Sequence, residues 1–140
     1  QDKLDLASQL GADLALDARQ PDAVERVQRV TDGGAHGVLV TAVSPPAFQQ
    51  AIACARRRGT VALVGLPPGD FPTPIFDVVL KRITVRGSIV GTRRDLAESI
   101  AFAADGKVRA TVSARPLEHV NAVLDDLRAG RIEGRVALTM

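Results

Sequence analysis

The 140-residue sequence predicts an α/β fold in which helices cover both faces of a parallel sheet. Two runs, Gly37–Val43 and Thr60–Val64, are almost entirely apolar and rich in β-branched residues. Such runs are typical of strands that are buried on both faces, as in parallel sheets. Segments with a helical spacing of apolar residues alternate with strand-like segments over residues 1–65. This alternation indicates βαβ units.

The elements of the first half can be assigned in chain order. Leu4, Ala7 and Leu10 have helical spacing and are followed by Gly11, a residue type common at helix C-termini. Ser44-Pro45-Pro46 combines a capping residue with prolines that suit a first helical turn. We therefore expect a helix ending at Gly11, a short strand at Leu14–Leu16, a helix starting at Pro21 or Asp22 and stopping at Gly33-Gly34, the strand Gly37–Val43, a helix from Ser44 to Gly59 and the strand Thr60–Val64.

The second half begins with a segment, Phe71–Phe76, that prolines keep extended. Ile83–Ser88 alternates like a strand with one solvent-facing side, which is the pattern of an edge strand. The other expected elements are a short helix at Val78–Leu80, a helix capped by Thr92 and running through Ala104, a short extended piece at Ala110–Val112, an amphipathic helix from Leu117 ending at Gly130, and a final strand at Arg135–Leu138.

The composition excludes several classes of function. The chain has no Trp or Tyr, and its four Phe are not interleaved with basic residues, so the stacking platform of a single-strand nucleic-acid binder is absent. Cys54 is the only cysteine, which excludes an internal disulfide and a Cys-rich zinc site. No apolar stretch approaches the roughly 20 residues needed to cross a bilayer. We therefore expect a cytoplasmic protein that binds neither nucleic acid nor a membrane.

Three groups of polar residues are assigned structural roles. Arg56–Arg58 precede Gly59, where a helix is expected to end and where cations complement the helix dipole. His36 and His119 have no Ser, Cys or carboxylate pattern beside them that would make a triad or a metal site. Asp125-Asp126 are successive helix positions, which point about 100° apart and do not converge on one site. The sequence thus predicts no catalytic and no metal-binding residue in this chain.

The ends of the predicted buried strands are the places to look for a ligand, because open parallel sheets bind ligands beyond their carboxyl edge. Two such ends, Thr41–Ser44 and Val64–Gly69, are apolar and include a small or flexible residue. They suit a flat, uncharged ring held by backbone groups, as a nicotinamide is, although ordinary strand-to-helix turns share this pattern. The chain contains no Gly-x-Gly-x-x-Gly loop, so its residues identify no complete nucleotide site by themselves.

Five groups of segments follow one another along the chain: Lys3-Leu4 with Leu10–Ala12, Gly34–Ser44, Gly59–Gly69, Ile75–Val79 with Ile83–Arg93, and Gly130–Val136. Together they resemble, in order and over the whole chain, the C-terminal part of the NAD(P)-binding domain of zinc-dependent, medium-chain alcohol dehydrogenases. Each group alone is weak evidence for this family, but five groups in the same order make the resemblance specific.

The resemblance implies that residues 1–140 are a partial NAD(P)-binding Rossmann domain whose first two strands are absent. The family's Gly-rich loop, its ribose-binding acid, its zinc ligands and its catalytic zinc domain have no counterpart in this chain. Leu14–Leu16 would correspond to the third strand and would lack its neighbour, which leaves backbone groups unpaired. We therefore expect the chain to be a fragment.

The resemblance also implies which residues contact the dinucleotide. Lys3 would lie by the adenosine ribose, and Arg135 would reach the pyrophosphate, since a guanidinium pairs bidentately with phosphate oxygens. The remaining cofactor-binding residues follow three strands: Thr41, Ala42 and Val43 along the cofactor, Val64, Gly65 and Leu66 against the nicotinamide, and Ser88, Ile89 and Val90 at the carboxamide.

The implied parent protein is a zinc-type, NAD(P)-dependent alcohol dehydrogenase. It would pass a hydride between a small alcohol or aldehyde and NAD(P), with zinc as the Lewis acid in the missing domain. NAD is the expected cofactor, and NADP stays open because the discriminating acid would precede Gln1. The 140 residues alone are expected to be inactive.

Other functions remain open. The first alternative is a non-catalytic, truncated Rossmann fragment. For both the dehydrogenase and this fragment, the family implies a homodimer or larger assembly through the edge strand Ile83–Ser88. A zinc-free quinone reductase of the same superfamily is another. A flavodoxin-like receiver is disfavoured, because Thr41 and Gly65 stand where it needs acidic residues.

Overall fold

The computed structural model describes residues 2–140, which form two compact units, residues 2–90 and residues 91–140. The first unit is a three-stranded sheet with four helices. Its helices are α1 (Asp2–Gln9), α2 (Ala23–Val30), α3 (Pro45–Cys54) and α4 (Ile75–Lys81), and its strands are β1 (Ala35–Val40), β2 (Ala55–Leu63) and β3 (Thr84–Gly87).

The strands of the first unit are all parallel and lie in the order β1-β2-β3. The register pairs Val40 with Leu63 and Leu63 with Gly87, so the three strands end level with one another. The predicted α/β fold with a parallel sheet is confirmed. β3 is an edge strand of this sheet, as predicted, but all four of its residues are exposed, so the predicted single solvent-facing side is wrong.

The core of the first unit lies between α3 and the sheet. Phe48 and Ile52 are one helical turn apart in α3 and are both buried, and Val61 of β2 is fully buried with them. Burying side chains of this size stabilises the fold by about 1.5–3 kcal/mol each. The rest of the buried cluster is Val40, Ala51, Ala55 and Ile83.

The prediction of a strand at Leu14–Leu16 is wrong. No strand pairs there, and the described chain between α1 and α2 consists of turns and irregular backbone. A strand needs a neighbour to bond its N–H and C=O groups. The next strand along the chain, β1, pairs only with β2 among the described strands, so this apolar triplet has no ladder to join.

The third helix is shorter than predicted. α3 ends at Cys54 rather than at Gly59, because the backbone from Ala55 onward already belongs to β2. Ala55 pairs with Ala35 across a register shift in the ladder, and Arg58 has a left-handed backbone with φ of 61°. Arg56–Arg58 therefore lie in a strand, and their predicted role at a helix C-terminus is wrong.

The second unit contains two parallel strands and two helices. These are α5 (Arg93–Ala104), β4 (Val112–Pro116), a 3-10 turn at Leu117–His119, α6 (Val120–Arg128) and β5 (Arg135–Thr139). Thr92 caps α5 as predicted: its side chain accepts from the backbone N–H of Asp95, whose carboxylate accepts from the backbone N–H of Thr92. None of the described residues of this unit is buried.

Candidate functional site

Three predicted groups of cofactor residues meet at one edge of the sheet in the first unit. Thr41–Val43 follow Val40 of β1, Val64–Leu66 follow Leu63 of β2, and Ser88–Val90 follow Gly87 of β3. Because Val40, Leu63 and Gly87 are paired in register, these nine residues lie together beyond the carboxyl ends of the strands. We call this surface the carboxyl edge.

Hydrogen bonds beyond the strand ends hold the carboxyl edge in place. The backbone N–H groups of Val64 and Gly65 both donate to the carbonyl oxygen of Val40, each at 2.9 Å. The N–H of Ser88 donates to the carbonyl of Leu63, also at 2.9 Å. The first residues of the second and third groups are thus fixed by bonds to the neighbouring strand.

Gly65 is the tightest position of the carboxyl edge. A Cβ added at Gly65 would overlap the carbonyl oxygen of Ala42, and its next nearest neighbours would be backbone atoms of Ala42 and Thr41. Backbone atoms of two adjacent strand ends cannot move aside as the tip of a side chain can. Only glycine therefore fits here, and it lets the two strand ends approach closely.

The side chains of the carboxyl edge are uncharged and mostly apolar. Several of the large ones are open to solvent: Leu66 is 77% exposed and Val90 is 94% exposed. Apolar side chains collected at one edge favour a ligand with a flat apolar face. The fixed N–H and C=O groups between them offer hydrogen bonds to the rim of such a ring.

Two grooves adjoin the carboxyl edge. One, of about 320 Å³, is lined by Gly65 and Leu66 and by Phe48 and Phe71, whose rings are 5.4 Å apart. The other, of about 500 Å³, reaches Ala42. Sequence reasoning missed both grooves, because their walls come from segments that are far apart in the chain. Besides Ala42, the larger groove is lined by Ala18, Arg19, Gln20, Pro21, Val24, Ser44, Pro46, Ala47 and Gln50.

Lys3 and Arg135 are not among the residues of the carboxyl edge. Lys3 is an exposed residue of α1 in the first unit. Arg135 is the exposed first residue of β5 in the second unit, where it pairs with Val112. Their proposed contacts with a dinucleotide stay predictions.

The ionisable groups near the sheet are held by hydrogen bonds or are partly buried. Asp17 accepts hydrogen bonds from the side chain and backbone of Arg19, which lower the pKa of this carboxyl to about 2. Burial raises the pKa of the Cys54 thiol, so Cys54 is not poised as a nucleophile. Nε2 of His36 in β1 accepts a hydrogen bond from the guanidinium of Arg56 in β2 at 2.8 Å.

The described part of the chain offers no set of side chains that could bind a metal ion. Within residues 2–140, no three His, Cys, Asp or Glu side chains are grouped so that they could hold a metal ion. The residues present therefore do not fit a zinc site. None of the helices in the same range is long and apolar enough to cross a membrane.

Comparisons with known proteins identify the family that this chain resembles. Residues 1–105 match the family model of zinc-binding dehydrogenases. An alcohol dehydrogenase of Rhizobium meliloti (strain 1021) is 60% identical over 139 residues, which is 99% of this chain but 41% of that protein. The chain thus spans about two-fifths of the length of the relatives it matches.

Solved structures show the same fold. An alcohol dehydrogenase from the hyperthermophilic archaeon Aeropyrum pernix superposes with a TM-score of 0.91 at 33% identity, covering 99% of this chain and 40% of that one. A structure described as an NAD-dependent alcohol dehydrogenase superposes with a TM-score of 0.88 at 29% identity, covering 99% of this chain and 41% of that one.

Proposed function

The chain belongs to the zinc-binding dehydrogenase family, and we propose that it forms the nicotinamide side of the NAD-binding site of an alcohol dehydrogenase. The parent protein would transfer a hydride between a small alcohol or aldehyde and NAD. One observation carries this proposal: three level strand ends bring nine predicted cofactor residues to one uncharged edge.

The chain's own residues hold and orient the cofactor in this proposal. Thr41–Val43 line the dinucleotide, and the fixed backbone of Val64–Leu66 bonds the rim of the nicotinamide. Ser88–Val90 take the carboxamide from the other side. Gly65 lets the ends of β1 and β2 approach closely, because any larger residue would overlap the carbonyl of Ala42. When bound, NAD supplies the hydride acceptor.

Leu66 has a second task in the proposal. Its side chain is exposed at the carboxyl edge, where it would cover one face of the nicotinamide and face the alcohol. An apolar cover excludes water from the path of the hydride and strengthens electrostatic interactions around it. Lys3 and Arg135 would bind the ribose and the pyrophosphate, respectively.

Zinc belongs to the proposal only through the parent protein. The family and the resemblance favour a zinc ion that polarises the alcohol oxygen. Because residues 2–140 hold no donor set for it, its ligands would lie in another part of the parent, and no step of the reaction is assigned to it in this chain.

The edge strand supports a further part of the proposal, which is that two copies of the chain form a dimer. β3 bonds β2 on one side only, and all four of its residues are exposed. An open edge of this kind is a template for pairing with another chain. We therefore expect a homodimer through Ile83–Ser88. A dimer that binds no dinucleotide would instead favour the alternative function, a non-catalytic fragment. Light scattering during size-exclusion chromatography distinguishes a monomer from a dimer.

The decisive experiment is a titration of the chain with NADH, followed by the fluorescence of the cofactor. We expect saturable binding of NADH. Leu66→Asp should raise Kd at least about 10-fold, because it places an anion beside an anionic dinucleotide and removes an apolar contact. Val30→Asp is the matched control, since Val30 is a similarly exposed apolar residue at the end of α2. Binding that both variants retain equally would overturn the proposal.

A further inference from the structure

The loop between α1 and α2 forms one wall of the larger groove without the support of a strand. Residues 18–21 contribute to the groove together with Val24, while Ala42, Ser44 and α3 form the opposite wall. No ladder fixes the backbone of this loop, because the chain before it pairs with no strand. The width of the groove therefore depends on what else holds the loop.

Local hydrogen bonds give the loop its shape. The carboxylate of Asp17 accepts from the backbone N–H of Arg19 at 3.0 Å and from its guanidinium at 2.8 Å. The N–H of Gln20 donates to the carbonyl of Asp17 at 3.0 Å, and the N–H of Ala23 donates to the carbonyl of Gln20 at 3.1 Å. These bonds close a tight turn but do not attach it to the rest of the unit.

Gln50 attaches the turn to α3. Its side-chain Nε2 donates to the carbonyl oxygen of Ala18 at 2.7 Å, across 32 positions of sequence. Gln50 itself lines the groove, so this one bond spans from one wall to the other. It holds Ala18 and Arg19 at a fixed distance from the helix.

The groove has the chemistry of a site for a flat ring. Its lining is largely apolar, and Arg19 is its one charged side chain. Asp17 pairs with that guanidinium, and because its pKa lies near 2, the pair stays ionised and neutral overall at physiological pH. The groove opens on Ala42, which belongs to the carboxyl edge.

We propose that Gln50 is a positioning residue for the cofactor: its hydrogen bond to the Ala18 carbonyl keeps the groove open at the width of one ring of a dinucleotide. The inference rests on the proposed function, since the ligand is the same NAD. It extends that function to a residue of α3 that is not itself at a strand end. Gln50 acts through the loop rather than on the reacting atoms.

The test compares two glutamines that make the same kind of bond. Gln50→Met removes the donor and keeps the size of the side chain. The control is Gln28→Met, because Nε2 of Gln28 donates to the carbonyl of Ala53 at 3.0 Å, links α2 to α3 and does not line the groove. Both side chains are half-buried. Loss of one hydrogen bond should lower the stability of the two variants similarly.

We expect Gln50→Met to raise Kd for NADH about 3- to 10-fold, while Gln28→Met changes it less than about 2-fold. Hydrogen exchange without cofactor gives the second readout. The amides of Arg19, Gln20 and Ala23 should exchange faster in Gln50→Met than in the unmodified chain, and at unchanged rates in Gln28→Met.

The outcomes separate the two proposals. If the unmodified chain binds no NADH, the proposed function is wrong, and the role of Gln50 in cofactor binding is wrong with it. If the unmodified chain binds NADH and Gln50→Met binds equally well, the proposed function stands and the positioning role is overturned. An equal loss of affinity in both variants would also overturn it, because the effect would then be general destabilisation.

Discussion

The two compact units are built from the same kinds of elements, yet only one of them has a core. Residues 2–90 bury eight apolar side chains, and among the described residues of the second unit none is buried. In the first unit α3 lies on the sheet and places Phe48 and Ile52 against it. In the second, every residue of β4 is exposed, and Val136 of β5 is only half-buried. A parallel strand pair with helices is therefore not sufficient for a core.

This difference between the two units shows which features of an α/β fold arise from interactions between residues that are close in sequence. α5 of the second unit has a capping box and an ion pair between Arg94 and Glu98, four positions apart. Both stabilise a helix without any tertiary contact. Yet Leu96 of the same helix is 62% exposed. Local signals thus form the elements, while burial depends on whether a second layer covers them.

The largest expected effect is in the core of the first unit. Ile52→Ala should lower the free energy of unfolding by about 2–5 kcal/mol, because it removes a fully buried side chain from between α3 and the sheet. Leu96→Ala, on the exposed face of α5, should change it by less than about 0.5 kcal/mol. Urea unfolding followed by circular dichroism measures both. Equal losses in the two variants would mean that the second unit has a core of its own.

A smaller effect is expected at the carboxyl edge. Gly65→Ala should destabilise the first unit by about 1–3 kcal/mol and weaken NADH binding, because its Cβ would overlap the Ala42 carbonyl and push the ends of β1 and β2 apart. Gly37→Ala in β1 is the control, since nothing lies within 4 Å of its added Cβ. The same measurements apply, and an unaffected Gly65→Ala would show that the two strand ends are free to separate.

Hydrogen exchange should sharpen the contrast between the units. Amides in the ladder between β1 and β2 should exchange at least about 100-fold more slowly than those between β4 and β5, because opening the first ladder exposes buried apolar surface. Mass spectrometry of peptides from the exchanging chain resolves the two ladders. Equal protection would indicate that the second unit gains its stability elsewhere.

The smallest effect is a pH dependence of α5. The pKa of Asp95 is lowered by hydrogen bonds from the backbone and then the side chain of Thr92. Because the folded pKa lies below the ordinary value of 3.8, the stabilisation is complete above that value and is lost as the pH falls through the folded pKa. Exchange of the α5 amides should therefore accelerate in acid relative to a reference peptide. Asp95→Asn should remove most of this pH dependence, and an unchanged profile would contradict it.

Much of the carboxyl edge could be predicted without a structure. Thr41–Val43 and Val64–Leu66 stand directly after apolar runs, and parallel strands place such positions on the same side of a sheet. The grooves beside that edge could not be predicted. The bond between Gln50 and Ala18 spans 32 positions, and no local pattern marks a polar helix residue as the partner of a distant carbonyl.

Periodicity and turn residues were enough to predict an α/β chain, its apolar strand segments, an edge strand within Ile83–Ser88 and the cap at Thr92, because the sequence pattern that marks each of them spans only a few neighbouring positions. The tertiary structure decided that Leu14–Leu16 is not a strand, that α3 stops at Cys54, and that only the first unit buries a core. Each of these depends on a partner far along the chain. A strand forms only where another strand bonds it, and an apolar side chain is buried only where a second layer covers it.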